Sequence, residues 1–351
     1  MKRRDIILTI ISIVVLFLFV LYANNNFNPY QNRILNLCAI YVVLGLSMNL
    51  INGFTGLFSL GHAGFMAVGA YTTALLTMSE SAKMRTFFLE PMMSPLDKIT
   101  LPFFIALLLG GLLSAFIAFL IGAPTLRLRG DYLAIATLGF SEIIRIIFTN
   151  TQTITNGALG LKSIPNNTNL WWSYGTMLFT LLVMIALINS SYGKAFKAIR
   201  EDEVAAESMG VNLFKHKVMA FVIGAFFAGI GGGLLGNLLG AINPMMFRFI
   251  LTFNVLLIIV MGGMGSITGT VLSAFVVTSG LEYLRVLDES INLGFVQIEG
   301  IPGLRMVVFS ALLMIVVIFF RNGLMGTNEF SWDKLFNLFK RRPFSKKGVG
   351  Q

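Results

Sequence analysis

The chain has 351 residues, of which 56% are hydrophobic and only 12% charged. Soluble domains carry about 25% charge, so an ordinary soluble enzyme is excluded and lipid is the main solvent of this protein. The net charge of +10 would suit nucleic-acid binding in a soluble chain; here it marks cytoplasmic loops and a tail, and no nucleic-acid partner is expected. Cys38 is the one cysteine, inside an apolar run, which excludes a disulfide framework and a thiolate metal site. The 35 glycines suit helices that approach closely in lipid.

Lys2, Arg3 and Arg4 precede an apolar run over residues 6–22. The run is long for a signal peptide, and Leu21 spoils a small-x-small cleavage site, so it is read as a retained first span. A membrane helix needs ~20 apolar residues. Further spans are expected at 34–51, 57–78, 100–123, 132–148, 171–188, 218–241, 249–261, 267–284 and 304–320. The third is interrupted early by Gly61-His62-Ala63-Gly64, Pro124 stops the fourth, and the eighth is short enough to be a partial helix ending at a glycine turn, 262–266. Residues 79–99 read as a loop, and 149–170 as a polar, nearly uncharged connection. The expected fold is an all-α membrane protein, a multi-span helical bundle of about 8–10 transmembrane helices in one domain over 1–326.

With the N-terminus inside and ten passes, 17 Lys and Arg residues fall on the cytoplasmic side and 7 on the other. That asymmetry favours cytoplasmic N- and C-termini. The tail over 327–351 is basic; Phe330, Trp332, Leu335 and Phe339 interleave with Lys334, Lys340, Arg341 and Arg342, as in a short helix lying on anionic lipid.

Catalytic constellations are missing from the sequence. There is no G-x-x-x-x-G-K-[ST] loop for ATP, and no H-E-x-x-H metal motif; the two histidines, His62 and His216, are far apart in the chain. Four residues remain as candidates for a translocation path: Ser59, His62, Glu142 and Arg145. Glu142 and Arg145 sit three apart on one helix face, where an ionised group costs about 2.5–3.5 kcal/mol at mid-membrane. They either face a pathway or neutralise each other as a local pair. Ser59 to Gly64 either exposes backbone to a substrate, as broken helices do in transporters, or packs helices through Gly61, Gly64 and Gly69 with His62 solvated near the cytoplasmic end. Residues 155–165 form either an outer lip that touches a partner or an ordinary loop. The Gly262 to Gly269 turn is either a gate hinge or a tight hairpin.

The longest charged run lies between the sixth and seventh spans, at 193–217, with nine charged residues from Lys194 to Lys217. Ala195, Phe196, Ile199, Ala205, Ala206 and Met209 trace an apolar stripe of helical period, and Gly210 suits a helix stop. Small Ala205 and Ala206 would let such a helix lie close in a partner's groove. The alternative is a solvated connector.

Glu203-Val204-Ala205-Ala206-Glu207-Ser208-Met209-Gly210 resembles the cytoplasmic coupling motif of ABC importer permeases. More narrowly, the chain is similar to LivM-type permease subunits of branched-chain amino acid ABC importers. The likeness is carried by 46–50, 56–65, 130–138 with Glu142 and Arg145, 155–161, 197–210, 262–269 and 303–326. It implies a larger-bundle importer fold with coupling segment 193–214, and Arg200, Glu203, Ala205, Ala206 and Gly210 as ATPase-coupling residues. It implies a second homologous permease, two cytoplasmic ATPases that bind ATP and Mg, and an extracytoplasmic substrate-binding protein. This chain itself would hold no cofactor and no metal, and would sit in a bacterial inner membrane. Related urea and amide permeases share the pattern, so those substrates remain open beside leucine, isoleucine and valine. An ion-coupled secondary transporter, which would want several intramembrane carboxylates, is the more distant rival.

Overall fold

The computed structural model describes residues 3–128 and 130–284, together with 288, 291–292, 297–298, 303–304, 307–308, 310–311, 314, 323–326 and 329. The expected tenth span and the basic tail lie largely outside the described residues. The rest is helical: α1 (Arg3–Asn26), α2 (Pro29–Met48), α3 (His62–Thr77), α4 (Glu80–Thr86), α5 (Phe103–Thr125), α6 (Asp131–Asn150), α7 (Gln152–Thr155), α8 (Leu170–Asn189), α9 (Ser191–Glu201), α10 (Glu203–Ser208), α11 (Leu213–Leu239), α12 (Phe249–Gly262) and α13 (Ile267–Tyr283). A two-residue antiparallel pairing, Ile291–Asn292 with Gln297–Ile298, is the only sheet among the described residues.

Among the described residues five stretches are long and apolar enough to cross a bilayer: 29–54, α5, α6, α8 and α11. The α12 helix has 14 residues, about 21 Å of rise against a hydrocarbon core of about 30 Å, so the expected partial helix is present. Pro124 lies in the last turn of α5, which runs one residue past it to Thr125.

The centre is a three-helix cluster of α3, α5 and α11. Lipid offers no hydrophobic drive between helices, so close approach of small residues must supply the attraction. A Cβ at Gly69 would strike the backbone of Gly229, and one at Gly232 the backbone of Met66. Ser114 Oγ, on α5, donates to Phe65 O at 3.0 Å and so ties α5 to α3 inside the same seam. Around this cluster, α2 packs on α13, α11 and α8. The α1 helix is peripheral: Val14, Val15 and Leu18 are exposed while Phe17 meets Trp171 of α8.

Residues 79–99, expected as a loop, carry the short helix α4, and two helix boundaries near the charged end differ from expectation. The second span does not stop near residue 51 but passes into a π-helical turn, Asn49–Phe54. The third helix starts at His62 rather than Leu57, because 55–61 leaves helical geometry at Gly56, whose φ is +73°. Backbone freed inside a membrane protein must find other partners. Asn52 Nδ2 donates to Ser59 O at 3.1 Å, and Ser59 N donates to Asn52 Oδ1 at 3.3 Å. Leu60 N donates to Thr137 Oγ1 of α6, and Ala63 N to Thr252 Oγ1 of α12, each at 3.0 Å. Side chains from three other elements thus hold the break open.

The loops sort to two ends, as an alternating up-and-down chain requires. At one end Thr86 Oγ1 donates to Lys162 O, Met93 N to Thr153 O, and Leu161 pairs with Ile242. The 155–165 connection is therefore an ordered loop locked to the α11–α12 link. At the other end lie 49–56, α9, α10 and the 262–266 turn.

Gly69→Leu is expected to overpack this seam and lower stability by about 1–3 kcal/mol. Gly139→Ala, in the interior of α6 where an added Cβ meets nothing within 4 Å, should not destabilise the fold and should gain up to about 1 kcal/mol. Thermal unfolding in detergent compares the two.

Candidate functional site

The charged segment folds as two helices, not the one continuous stripe expected. In α9, Phe196 and Ile199 are buried, each burial contributing about 1.5–3 kcal/mol. The helix ends at Glu201 because Asp202 is extended, at φ −159° and ψ 117°. Its carboxylate then accepts from Val204 N at 2.8 Å and Ala205 N at 3.0 Å, capping α10. The far end closes as a Schellman motif: Val211 N donates to Ala206 O and Gly210 N to Glu207 O, with Gly210 at φ +84°. Gly210 is the helix stop expected of it.

Within α10 the two alanines separate. Ala206 is buried against its own chain, whereas Ala205 is exposed, so only Ala205 belongs to an outward surface. The expectation that both line a partner's groove is corrected by the helix phase: adjacent residues lie about 100° apart around the axis. Val204 and Met209 stand beside Ala205 at 64% and 85% exposure, an apolar knob on an otherwise polar end. Glu203 turns inward and accepts from Lys217 Nζ at 2.6 Å.

Arg200 reaches back to two other segments of the chain. Its Nη1 donates to Gly53 O at 3.0 Å, in the π-helical turn, and Nη2 donates to Glu201 Oε1 at 3.2 Å. The stem fills the space a side chain would need at Gly56, and the guanidinium fills that at Gly265. Two glycines of positive φ thus form a socket for one arginine. Asn49 ties the same pieces together from behind. Its Nδ2 donates to Ser266 O and Thr270 Oγ1 at 2.9 and 2.7 Å, and its Oδ1 accepts from Gly265 N at 2.8 Å. Glu329 caps α13 by accepting from Ile267 N and Thr268 N. Lys197 stands over the Phe54 ring, 5.9 Å from its centroid. Phe54, Lys197, Arg200, Gly265 and Glu329 line a cleft of about 460 Å³, together with Ile185 and Ile188 of α8. Gly262 and Gly269 press together across the turn, which makes it a tight hairpin.

Of the four path candidates only Glu142 and Arg145 contact each other; Ser59 and His62 are held by different partners. Ser59 is buried and bonded through its backbone to Asn52. His62, 3% exposed, pairs Nε2 with Ser47 Oγ at 2.9 Å. The expectation of a solvated His62 is overturned, because the break at 55–61 folds the ring inward onto α2. Glu142 and Arg145 form an ion pair at 2.6 Å within α6, and Arg145 Nη1 also reaches Met245 Sδ at 3.6 Å. Among the described residues no group of three His, Cys, Asp or Glu could hold a metal.

The family described as branched-chain amino acid transport system / permease component matches residues 30–318. The chain belongs to this permease family. It is a multi-pass membrane protein similar to the high-affinity branched-chain amino acid transport system permease protein LivM of Salmonella typhimurium, 36% identical over 284 residues, 71% of this chain and 62% of that protein. The Escherichia coli protein of the same name is 35% identical over 290 residues, 73% of this chain and 64% of its own length. The chain thus spans under two thirds of these two relatives. A probable LivM of Methanocaldococcus jannaschii is 23% identical over 315 residues, covering 82% of this chain and 90% of its own. No solved structure is matched.

Sequence reasoning about this permease missed Asn49, Lys217, Glu329 and, at the opposite end, Lys83. Lys83 is buried in α4 and donates to Leu96 O at 2.8 Å and Ile99 O at 2.6 Å. Burial lowers its pKa below the usual 10.5, opposed by Asp97 and Glu80. A lone lysine in a helix of seven residues carries no periodic signal, so only charge in the helix-forming Glu80–Thr86 stretch could have flagged it.

Arg200→Lys keeps the charge but not the fork, and is expected to lose about 1–3 kcal/mol with the Gly53 bond. Gly265→Ala should expel the guanidinium and be non-additive with Arg200→Ala in a double-mutant cycle of thermal unfolding. For Lys83, the unfolded chain binds the proton more strongly than the folded one between the lowered pKa and 10.5. Stability therefore rises with pH through that window. The melting temperature of the wild type should gain on that of Lys83→Met as pH rises towards 10.5.

Proposed function

We propose that the chain is the permease subunit of an ATP-driven ABC importer, forming part of the path for leucine, isoleucine and valine across a bacterial inner membrane. The observation that carries this reading is the apolar knob Val204, Ala205 and Met209 on α10, together with the family match over 30–318. Both N- and C-termini would lie in the cytoplasm, with residues 1–326 as the permease domain and 327–351 as a basic lipid-binding tail. A second, homologous permease would complete the path. Two ATPases would hold ATP and Mg and dock on α10, and a binding protein outside would deliver the amino acid. This chain would itself carry no nucleotide.

Alternating access follows from the contacts at that end. Closure of the ATPases would press on α10 and α9. Arg200 would carry the push into the π-helical turn and the α12–α13 hairpin, both of which touch its side chain. The 55–61 break and its partners on α6 and α12 would then rearrange as a unit, giving a bistable element biased from outside. An ion-coupled mechanism is disfavoured because Glu142 is already paired with Arg145. Urea and amides remain the competing substrates.

The test is reconstitution with the partner permease, the ATPases and the binding protein. Leucine-stimulated ATP hydrolysis and ATP-dependent leucine uptake are expected, with no response to urea. Uptake that survives ATP depletion and collapses with an uncoupler would refute the reading, and a response to urea alone would change the substrate. Met209→Asp should weaken ATPase binding by at least about tenfold, the loss of one buried apolar anchor.

A further inference from the structure

The α10 helix is six residues long and is jointed at both ends. Asp202 before it is extended, and Gly210 after it has φ +84°. Neither joint continues the helix axis into its neighbour, so a push on α10 reaches the bundle chiefly through its side chains. Ala206 supplies a single buried methyl. The polar route is the ion pair from Glu203 to Lys217, at 2.6 Å.

Lys217 is an unusual place for a positive charge. It is 5% exposed, near the start of α11, the helix that packs on α3 and α5 at the centre of the fold. A buried ammonium with its partner removed is strongly unfavourable, so the pair resists separation far more than a surface pair would. The carboxylate side is 31% exposed and reaches inward to meet it.

We infer that Glu203 and Lys217 form an internal strut that carries displacement of α10 into α11, and that Glu203 acts through Lys217 and not by touching an ATPase. Lys217 is thereby a positioning residue for coupling. The inference rests on the importer reading and changes the role which the motif implies for Glu203. Arg200 feeds the α12–α13 hairpin, whereas Lys217 feeds the central three-helix cluster, so the two routes reach different parts of the bundle.

The test uses the reconstituted importer and reads leucine transported per ATP hydrolysed. Lys217→Glu and Glu203→Lys should each lower that ratio at least tenfold. The double reversal, Glu203→Lys with Lys217→Glu, should return it to within about threefold of wild type. A double reversal as poor as Glu203→Lys alone would mean that Glu203 meets the ATPase, and would overturn the strut. Where reversals prevent insertion, Glu203→Gln and Lys217→Met serve in the same cycle, and additive effects there overturn it equally. The neutral cycle is also run on thermal unfolding of the permease alone. Additive shifts in melting temperature overturn the pair whatever the transport result. Non-additive shifts in a complex whose wild type shows no ATP-driven uptake locate the failure in the importer reading instead.

Discussion

Arg200 joins its own helix to two parts of the chain that are distant in sequence, 53–56 and Gly265. Its helix, α9, lies at the end of the bundle where the charged segment emerges. Its guanidinium reaches the carbonyl of Gly53 and rests on Gly265, and its stem rests on Gly56. Such a contact is possible only because neither glycine has a side chain, and only because both accept positive φ. The π-helical turn presents the Gly53 carbonyl at the right place, since a wider turn leaves backbone groups free of their usual partners. The socket thus depends on irregular backbone on both sides of it.

The same economy governs the 55–61 break. In lipid an unpaired amide or carbonyl costs several kcal/mol, so a helix cannot simply stop. Here Asn52, Thr137 and Thr252 each take up a backbone group that the break released. Thr137 sits on α6 and Thr252 on α12, so the irregular segment couples those helices to α3. Any movement that shifts α6 or α12 must renegotiate these bonds. A network of this kind has a few discrete arrangements and not a continuum, which is what a gated path requires.

The polar side chains divide by what they hold. Asn49, Arg200 and Glu329 gather the hairpin between α12 and α13 into one body with α9. Lys217 and Glu203 join α10 to α11. Glu142 and Arg145 satisfy each other within α6. The apolar knob on α10 is left outside all of these, which is where a partner can reach it without disturbing the bundle.

Much of this was legible in the residues. Low charge and long apolar runs determined an all-α membrane protein, and the alternation of those runs with polar stretches showed which of the described loops share an end. The short eighth span and the stop at Gly210 were also readable, because each rests on local backbone preference; the 262–269 turn was readable as a turn, but not as a hairpin rather than a hinge. The motif from Glu203 to Gly210 pointed to the permease family. Tertiary structure alone decided that His62 is buried on Ser47, that the charged stripe splits at Asp202, and that Ala206 and Glu203 face inward. Periodicity records whether a residue prefers lipid or water along its own helix. It holds no record of which carbonyl an arginine will meet 147 residues away, nor of the acid 14 residues away that a buried lysine will need.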